Sequence, residues 1–429
     1  MLANSYGQAP LASVCEGMFD GPHATPKKTS RGPVFLGIWN LSQGRLDLSK
    51  TEHLSEEDFA RWTRRVVPQP GDLVFSYETR LGQAALVPEG LRCCLGRRMG
   101  LIRPLRPRVE PRFLLYAFMG PEFQQTVRER TIAGSTVERI LLTELGKYPI
   151  RIPALAEQQS VVSLLGALDD KIELNRVMNR TLETIASALF RSWFVDFDPV
   201  VAKAAGRQPV GMSTDVAGEF PDSFSGAVSD PIPNGWRLAS IYDVTKVVYG
   251  APFSSKLFNG DHRGLPLLRI RDLVSQDPEV FTDESHPNAE RVAAGDVVVG
   301  MDGEFRAVIW QGPESWLNQR LCKFIPKGTA GTTYVYHSIF APLAEFERSK
   351  VGTTVTHLGK ADIDTFKVIH PGDKILALFS TLTQPLIDRI LANAAESQVL
   401  SDLRDGLLPR LLSGEIRVNQ AERIVEQAV

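Results

Sequence analysis

The hydrophobic pattern of the chain is strongest in two long segments, residues 154–196 and residues 372–413. In the first segment the inward positions recur at alternating steps of three and four residues and are Leu165, Leu168, Ile172, Asn175, Asn179, Leu182, Ala186 and Leu189. In the second segment a seven-residue spacing is kept by Leu386, Asn393, Leu400 and Leu407. This is the a/d pattern of a coiled coil. It predicts two helices of roughly 38–40 residues, each about 57–60 Å long.

Asn175 and Asn393 interrupt the apolar stripe near the middle of the two predicted helices. If the helices pair antiparallel, their midpoints coincide and the two amides can meet inside the seam. A buried polar pair of this kind sets the register of a coiled coil at a cost in stability. We therefore consider Asn175 and Asn393 a helix-register pair. The alternative is that both side chains reach solvent at the edge of the seam.

The two helices belong to a longer internal repeat, which is the strongest long-range signal in the sequence. At an offset of 218 residues, residues 134–137 (GSTV) fall on residues 352–355 (GTTV), and Asn175 falls on Asn393. Further upstream the offset grows, so that residues 70–74 resemble 294–298 and residues 32–38 resemble 264–270. The sequence therefore predicts two similar halves, each a globular part followed by a helix, in a pseudo-twofold arrangement.

The globular parts are predicted at residues 1–150 and 234–370. Short β-rich runs at residues 73–77, 84–87, 297–299 and 307–310 are separated by Gly and Pro, a pattern typical of short strands and turns. Together with the helices this predicts the α+β fold class, with two mixed α/β domains. Residues 199–233 are rich in Gly, Pro, Ser and Asp and are predicted to form a linker.

Composition adds few constraints. The hydrophobic share of 43% and the charged share of 23% are ordinary for a soluble protein, and neither a signal peptide nor a run of about 20 apolar residues is visible. The four cysteines form no CxxC pair, so we expect reduced structural thiols in a cytoplasmic protein without membrane attachment.

Charge is unevenly distributed, although the net charge is only −2. Residues 1–150 carry 20 Lys and Arg against 15 Asp and Glu, a balance of +5 that leaves −7 for the remainder. Six arginines crowd one stretch with only Glu110 opposing them; they are Arg97, Arg98, Arg103, Arg106, Arg108 and Arg112. Such a run is either a solvated basic face or a surface for phosphates.

Motifs of catalysis are missing from the sequence. It contains no GxxxxGK[ST] phosphate loop, no NPPY-like or FxGxG segment of an amino-methyltransferase and no Glu-x-Lys triplet. The seven histidines are scattered and show no metal-ligand spacing. One Asp-x-Lys triplet, residues 169–171, lies inside the first helical pattern, where ion pairs between helices are expected. We therefore predict no catalytic residue and no metal site.

Several segments closely resemble one protein family. Residues 152–159 (IPALAEQQ), 168–175 (LDDKIELN) and 192–199 (SWFVDFDP) resemble the central conserved region of the specificity subunits of Type I restriction–modification enzymes, and residues 407–416 (LLPRLLSGEI) resemble their distal conserved region. Residues 20–26, 267–273 and 301–306 are similar to segments of their recognition domains. The resemblance runs nearly from end to end and is more specific in the helical segments.

The resemblance implies a sequence-specific, non-catalytic subunit that binds double-stranded DNA at a bipartite target. The implied domains are target recognition domain 1 at residues 1–150, a central conserved helical region at 151–198, the linker at 199–233, target recognition domain 2 at 234–370, a distal conserved helical region at 371–416 and a C-terminal tail at 417–429. An antiparallel coiled coil would set the distance between half-sites and bind two modification subunits, while two restriction subunits complete the complex. S-adenosylmethionine, ATP and Mg²⁺ are expected on those partners, and no cofactor on this chain.

Candidate DNA contacts follow from the chemistry of base edges, because Arg bridges guanine O6 and N7 and a carboxylate accepts from cytosine N4. The base-contact candidates are Tyr77, Glu78, Arg80, Arg269, Arg271, Asp302, Glu304, Arg306, Gln319 and Arg320. The phosphate-contact candidates are His23, Lys27, Lys28, Arg97, Arg98, Ser135, Thr136, Thr353 and Thr354. For each charged residue an ion pair within its own loop is the alternative, and the repeated Gly-Ser/Thr-Thr segments suit a structural turn equally well.

Two other functions compete with DNA recognition. A coiled-coil adaptor that bridges proteins would explain the helices, but it leaves two large domains with polar tips without a purpose. An autonomous methyltransferase or nuclease would require the motifs that are missing. Specific DNA binding in the presence of a modification subunit would favour DNA recognition. Methylation by the isolated chain would favour an autonomous methyltransferase.

Overall fold

The computed structural model describes residues 6–131, 138–226, 231–303, 305–349 and 357–428. Over these ranges the chain combines α-helices with small β-sheets, so the predicted α+β class is confirmed. The chain divides into two compact units. The first unit is Met1–Ile172 with Val399–Val429, and the second unit is Glu173–Gln398.

The first unit contains eleven strands among its described residues, most of them short. They are β1 Gln8–Pro10, β2 Cys15–Asp20, β3 Thr29–Leu36, β4 Leu41–Ser42, β5 Arg45–Leu46, β6 Glu52–His53, β7 Leu73–Ser76, β8 Ala84–Leu86, β9 Cys93–Leu95, β10 Met99–Pro104 and β11 Pro149–Arg151. Its shorter helices are α1 Glu56–Trp62, α2 Pro111–Met119, α3 Pro121–Arg130 and α4 Leu142–Leu145. Helix α5, Leu155–Phe194, begins here, and 3-10 turns occupy Leu11–Val14 and Ile38–Asn40.

Two sheets organise the first unit. An antiparallel sheet has the strand order β2-β10-β7-β8, and a second sheet has the order β6-β3-β9, in which β3 and β9 are parallel. The apolar faces of β7 and β10 pack against α2 and the first part of α5 in one continuous core. The predicted runs at 73–77 and 84–87 are confirmed as β7 and β8.

The second unit repeats this plan. Its strands are β12 Phe224–Ser225, β13 Ile232–Pro233, β14 Arg237–Ser240, β15 Thr245–Tyr249, β16 Leu265–Leu268, β17 Phe281–Thr282, β18 Arg291–Val292, β19 Val297–Gly300, β20 Ala307–Ile309, β21 Ser315–Leu317, β22 Leu321–Pro326 and β23 Lys367–His370. Its helices are α6 Asp198–Ala204, α7 Thr214–Gly218, α8 Ile241–Val244, α9 Thr332–Ser338, α10 Phe340–Ser349, α11 Lys360–Ile363 and the first part of α12 Asp373–Ser413. The 3-10 turns are Ser255–Leu257 and Ile270–Leu273, and α13 Val418–Ala428 follows α12 in the first unit.

The internal repeat is visible in the strand topology of each unit. The antiparallel sheet β15-β22-β19-β20 matches β2-β10-β7-β8 strand for strand. Strands β16 and β21 are parallel, as β3 and β9 are. Each unit also pairs a strand before its sheets with the strand that precedes its long helix, β1 with β11 and β14 with β23. Equivalent sequence segments therefore occupy equivalent places in the two units.

The two long helices match the hydrophobic pattern that predicted them, since α5 and α12 begin and end within two residues of the expected bounds. In the first unit the stripe residues Leu165 and Ile172 are buried in one core with Leu400 and Leu407. Helix α12 is long and apolar enough to cross a membrane by length and composition alone. Part of its apolar surface lies in the two cores, and a single helix of this kind is weak evidence for a membrane span.

Residues 199–233, predicted as a linker, carry α6, α7, β12 and β13 among the described positions. Val200, Ala217 and Phe220 are buried there, and the Phe220 ring packs edge-on against Trp193 with ring centroids 4.9 Å apart. The segment is therefore folded onto the second unit, because its few apolar residues insert into the aromatic core at the end of α5.

Candidate nucleic-acid interface

The parallel strands β3 and β9 place two loops at the same edge of the first unit. Parallel strands carry their carboxyl ends on one side of a sheet, and Leu36 pairs with Leu95 at the ends of these two strands. After β3 comes the 3-10 turn Ile38–Asn40, and after β9 come residues 96–98. The Gly96 N–H donates to the Leu36 carbonyl at 2.7 Å, which fixes the two loops side by side.

An acid–arginine pair lies at this edge. The Tyr77 N–H donates to the Arg98 carbonyl at 3.1 Å, so the residue after β7 lies beside the residue before β10. As a result the Arg98 guanidinium approaches Glu78, with Nε 3.1 Å from Oε2, and Nη1 donates to the Thr79 hydroxyl at 3.1 Å. The neighbouring Arg80 donates to the Ile38 carbonyl at 3.2 Å and is exposed.

The second unit contains the equivalent acid–arginine pair. The Met301 N–H donates to the Arg320 carbonyl at 2.9 Å, and Arg320 Nη1 lies 3.0 Å from Asp302 Oδ2. On its other oxygen, Asp302 is 2.6 Å from His357 Nδ1. Asp302 and His357 form an isolated antiparallel bridge, as Glu78 and Arg139 do in the first unit. The two pairs thus occupy equivalent backbone positions in the two units, and their acids differ, Glu78 in the first and Asp302 in the second.

The backbone at the pair is conformationally strained in the first unit. Thr79 and Arg98 have φ of +70° and +67°, while the residue equivalent to Thr79 is Gly303 with φ of +72°. A non-glycine residue in this region carries about 1–3 kcal/mol of strain and persists only where its surroundings impose it. The contacts of Arg98 to Glu78 and Thr79 supply that constraint. Strain of this kind is concentrated at binding and catalytic sites.

Other predicted base contacts divide by exposure. Tyr77 is buried in the core and not at an exposed tip as expected, because it continues the inward alternation of β7; burial raises its pKa to about 12. Arg269 is held by a two-pronged pair with buried Asp272 at 2.9 and 3.0 Å, whereas Arg271 is exposed and has no hydrogen-bond partner among the described residues. Gln319 is exposed beside Arg320.

Arg306 and five candidates outside the described residues complete the set. Arg306 is exposed immediately before β20, at the lip of a cavity of about 870 Å³ inside the second unit. Five candidates lie outside the described residues, and their places stay predictions; they are Glu304, Ser135, Thr136, Thr353 and Thr354.

Of the described phosphate candidates of the first unit, Arg98 is half-buried and the other four are exposed, and two of those four form ion pairs. His23 Nε2 lies 3.6 Å from Asp20, and Lys28 forms an ion pair with Glu52. Lys27 and Arg97 are exposed. These four residues stay candidates for phosphate contacts. Arg98, which was also predicted to contact phosphate, lies in the acid–arginine pair with Glu78 and is considered for base contacts below.

Beyond Arg98, most side chains of the arginine-rich stretch make contacts within the first unit. Arg103 binds Asp72, which is 2% exposed, at 2.7 and 3.0 Å. Arg106 and Arg108 donate to the carbonyls of Pro70 and Ser13 at 2.7 and 3.1 Å. These three side chains connect loops of the first unit and do not form the continuous basic face that their charge suggested, because neighbouring backbone carbonyls and a buried carboxylate are within reach.

A basic cluster near His23 was missed by the sequence analysis. Arg61, Arg64 and Arg65, at and beyond the end of α1, line an open depression of about 650 Å³ together with His23. The guanidinium of Arg61 lies 5.4 Å from the centroid of the Trp62 ring. Arg65 also forms an ion pair with Asp20. Three arginines within five residues were the signal available in the sequence.

The asparagines of the long helices meet, although not in the arrangement expected. Asn175 Nδ2 donates to the backbone carbonyl of Asn393 at 3.3 Å and to Glu396 at 2.8 Å. The Asn393 amide instead donates to Asn179 Oδ1 at 2.8 Å. Because Asn179, one turn after Asn175, also donates to the carbonyl of Ile390, these parts of α5 and α12 run in opposite directions. A register role for Asn175 and Asn393 stays a prediction.

Asp169 joins more elements than its sequence pattern indicates. Its carboxylate accepts from the Tyr116 hydroxyl at 2.6 Å and from Arg404 at 2.9 Å. Arg45 and Arg112 lie 3.6 and 3.8 Å away. One carboxylate on α5 thus connects α12 with α2 and with β5 in the first unit. The Asp-x-Lys triplet is therefore part of an ion-pair network, as expected.

Cysteines and metals add no further site among the described residues. The four thiols are unpaired, and burial raises the pKa of Cys93 and Cys94 to about 12, so they remain protonated at neutral pH. Over the described part of the chain, no group of three or more His, Cys, Asp or Glu side chains is arranged to hold a metal ion.

Comparison with known families identifies the repeated units. Residues 52–184 and 233–394 match the model of the family described as Type I restriction modification DNA specificity domain. The chain belongs to this family. It is a specificity subunit of a Type I restriction–modification system, and such subunits are non-catalytic. The resemblance seen in the sequence is thereby confirmed.

Curated relatives and a solved structure agree with this assignment. The specificity subunit is 27% identical over 374 residues to the Type I restriction enzyme HindI specificity subunit of Haemophilus influenzae, covering 74% of this chain and 80% of that protein. It is 26% identical over 385 residues to the MjaIX specificity subunit of Methanocaldococcus jannaschii, covering 86% and 82%. Its fold is similar to the crystal structure of a Type I restriction–modification S subunit from M. genitalium, with a TM-score of 0.55, 14% identity and coverage of 96% and 97%.

Proposed function

We propose that this specificity subunit binds double-stranded DNA at a bipartite target. Each recognition region, residues 1–150 or residues 234–370, reads one half of that target. The observation that supports this most directly is the repetition of the acid–arginine pair, Glu78 with Arg98 and Asp302 with Arg320. A chain that presents one recognition edge twice, on the same backbone positions and with different side chains, is suited to two half-sites of different sequence.

The chemistry of the pair fits base recognition. Arg98 and Arg320 are each oriented by a neighbouring carboxylate, so less rotational freedom is lost when the guanidinium contacts guanine O6 and N7. The carboxylates of Glu78 and Asp302 are acceptors suited to cytosine N4. Around them the exposed side chains of Arg80, Arg271, Arg306 and Gln319 extend the base-reading surface. Lys27, Lys28, His23 and Arg97 supply phosphate contacts, which give affinity and register but no sequence information.

The long helices serve as the spacer in this proposal. α5 and α12 form an antiparallel coiled coil of about 60 Å that relates the recognition regions by a pseudo-twofold axis and sets the distance between half-sites. The same helices are the docking scaffold for two modification subunits, and two restriction subunits complete the complex in the cytoplasm. S-adenosylmethionine, ATP and Mg²⁺ act on those partners. The recognition domains are residues 1–150 and 234–370 and the helical regions are residues 151–198 and 371–416 in this proposal, whereas residues 199–233 are folded against the second unit and do not act as a free linker.

Reciprocal variants test the proposal. The complete system is expressed in a methylation-free host, and the methylated motif is determined by single-molecule sequencing of the host DNA. We expect a bipartite motif in which Arg98→Ala relaxes one base pair of one half-site and Arg320→Ala relaxes one base pair of the other. A lost base contact reduces discrimination by about 1–3 kcal/mol, or roughly 5- to 150-fold.

Each variant is the control for the other, because both remove the arginine of the same kind of ion pair. If the methylated motif is continuous and not bipartite, or if both variants alter the same half-site, the assignment of one half-site to each recognition region is wrong. Methylation of DNA by the isolated specificity subunit would contradict the proposed division of labour with the modification subunits.

A further inference from the structure

The turn that follows β3 and β16 is the same structure in both units. In the first unit the Gly37 N–H donates to the Asn40 side chain at 2.8 Å, and in the second unit the Arg269 N–H donates to the Asp272 side chain at 2.9 Å. Asn40 and Asp272 are both buried. The residue after the first turn position is isoleucine in both copies, Ile38 and Ile270. The frame of the turn is therefore retained between the repeats.

The exposed position of this turn carries a different side chain in each unit. Between the isoleucine and the capping residue, the first unit has Trp39 and the second unit has Arg271. Trp39 is 49% exposed, which is unusual for a side chain of its size. Arg271 is exposed and unpartnered among the described residues. A retained frame that presents a different exposed side chain in each copy has the form expected of a position that sets target preference.

Packing holds the indole in place. A Cβ added to Gly37 would lie 2.3 Å from the Trp39 ring, so the ring rests directly against the glycine backbone. In the second unit the residue equivalent to Gly37 is Arg269, whose side chain turns back to Asp272. The glycine lets the indole lie against the backbone, and this contact restricts its rotamers and lowers the entropy lost when the indole contacts a ligand.

The surroundings of Trp39 indicate what it contacts. Arg80 donates to the carbonyl of Ile38, the residue before Trp39, and Arg98 follows the neighbouring strand end. An exposed aromatic ring bordered by arginines at the edge that carries the acid–arginine pair is suited to DNA and not to an apolar protein surface.

We propose that Trp39 is a specificity-determining residue that contacts the 5-methyl group of a thymine in the first half-site, and that Arg271 reads a guanine from the equivalent position in the second. In the major groove an apolar side chain recognises the thymine methyl, and Arg is the usual partner of guanine. This inference rests on the proposed function and adds the identity of the base pair at one position of each half-site.

The first test uses methylome sequencing of cells that carry the complete system. Trp39→Ala is expected to make one A·T pair of the first half-site degenerate, with discrimination reduced about 5- to 150-fold, the range of one mismatched base pair. Trp39→Phe should retain the preference, and Arg271→Ala should relax one G·C pair of the second half-site only. Val67→Ala is the matched control, since Val67 is 51% exposed in the same unit and its carbonyl accepts from Arg103 on β10, away from the turn.

The second test changes the DNA, and Trp39→Ala serves as the comparison. The wild-type subunit, assembled with its modification subunits, is bound to target duplexes in which each thymine of the first half-site is replaced in turn by deoxyuridine, which lacks only the methyl group. The contact is supported if one replacement weakens the binding of the wild-type subunit and the same replacement does not weaken the binding of Trp39→Ala. If no substitution weakens binding, or if the motif of Trp39→Ala is unchanged while that of Arg98→Ala is altered, Trp39 does not read the target and the proposed function still stands. Absence of any bipartite motif would instead reject the proposed function.

Discussion

The carboxylate of Asp169 is predicted to be the main polar link within the first unit, and Asp169→Ala is the change that tests it. The side chain is 14% exposed and accepts hydrogen bonds from Tyr116 and Arg404, with two further arginines within 4 Å. Removing it leaves these donors around a site with little water. Asp170 provides a matched control, because it is the next residue of α5, is 71% exposed and pairs with Arg112 at 2.8 Å.

The magnitude follows from the surroundings of the two carboxylates. Breaking a buried ion pair by removing one partner costs about 3–5 kcal/mol. Here the figure is reduced to about 2–3 kcal/mol, because the arginines are partly exposed and Arg404 keeps Asp405 as a partner at 2.8 Å, so solvent and a second acid screen the remaining charge. Asp170→Ala removes an exposed pair, for which we expect about 0.5 kcal/mol.

Hydrogen exchange followed by mass spectrometry measures the loss of stability in the first unit, and it does not assume two-state unfolding of a chain that has two units. Protected amides of α2 and of the first part of α5 should exchange roughly 30- to 150-fold faster in Asp169→Ala, which corresponds to about 2–3 kcal/mol. Amides of the second unit should be unchanged. Equal effects of Asp169→Ala and Asp170→Ala, or faster exchange spread evenly over both units, would refute the reasoning.

Three further predictions follow from the contacts described above. Asn179→Leu and Asn393→Leu should show a coupling of about 0.5–3 kcal/mol in a double-mutant cycle measured by chemical denaturation, because the two side-chain amides are hydrogen-bonded at 2.8 Å. Purely additive effects on the free energy of unfolding would exclude that contact. Burial lowers the pKa of His337 to about 4 from an ordinary 6.5, so between these pH values the unfolded state binds a proton that the folded state does not. The stability of the second unit should therefore fall as the pH drops from about 6.5 to 4. His337→Phe should remove this component of the pH dependence. Lys28→Ala should weaken binding to all DNA sequences and reduce the salt slope by about 1, with the methylated motif unchanged; an altered motif would show that Lys28 reads bases.

The sequence determined the large-scale plan of this protein. Helical periodicity over some forty residues is a signal that few other structures produce, so α5 and α12 were predicted to within two residues of their ends. The offset between the two halves predicted that the same elements occur twice, which the matching strand orders bear out. Family membership followed from the helical segments, whose apolar stripe and flanking motifs are specific.

Only the tertiary structure decided which charged side chains are available for DNA. Arg98 and Glu78 are twenty residues apart and meet because β7 and β10 are adjacent strands, a pairing that local sequence does not encode. By the same reasoning Arg103, which looks like a binding residue in the sequence, is held by the buried acid Asp72. Arg269 is held by Asp272 only three residues later, and here the tertiary structure decides the burial of the acid and not the pairing. Periodicity depends on neighbours along the chain, whereas the exposure of a charge depends on its neighbours in space, and those are set by strand order and packing.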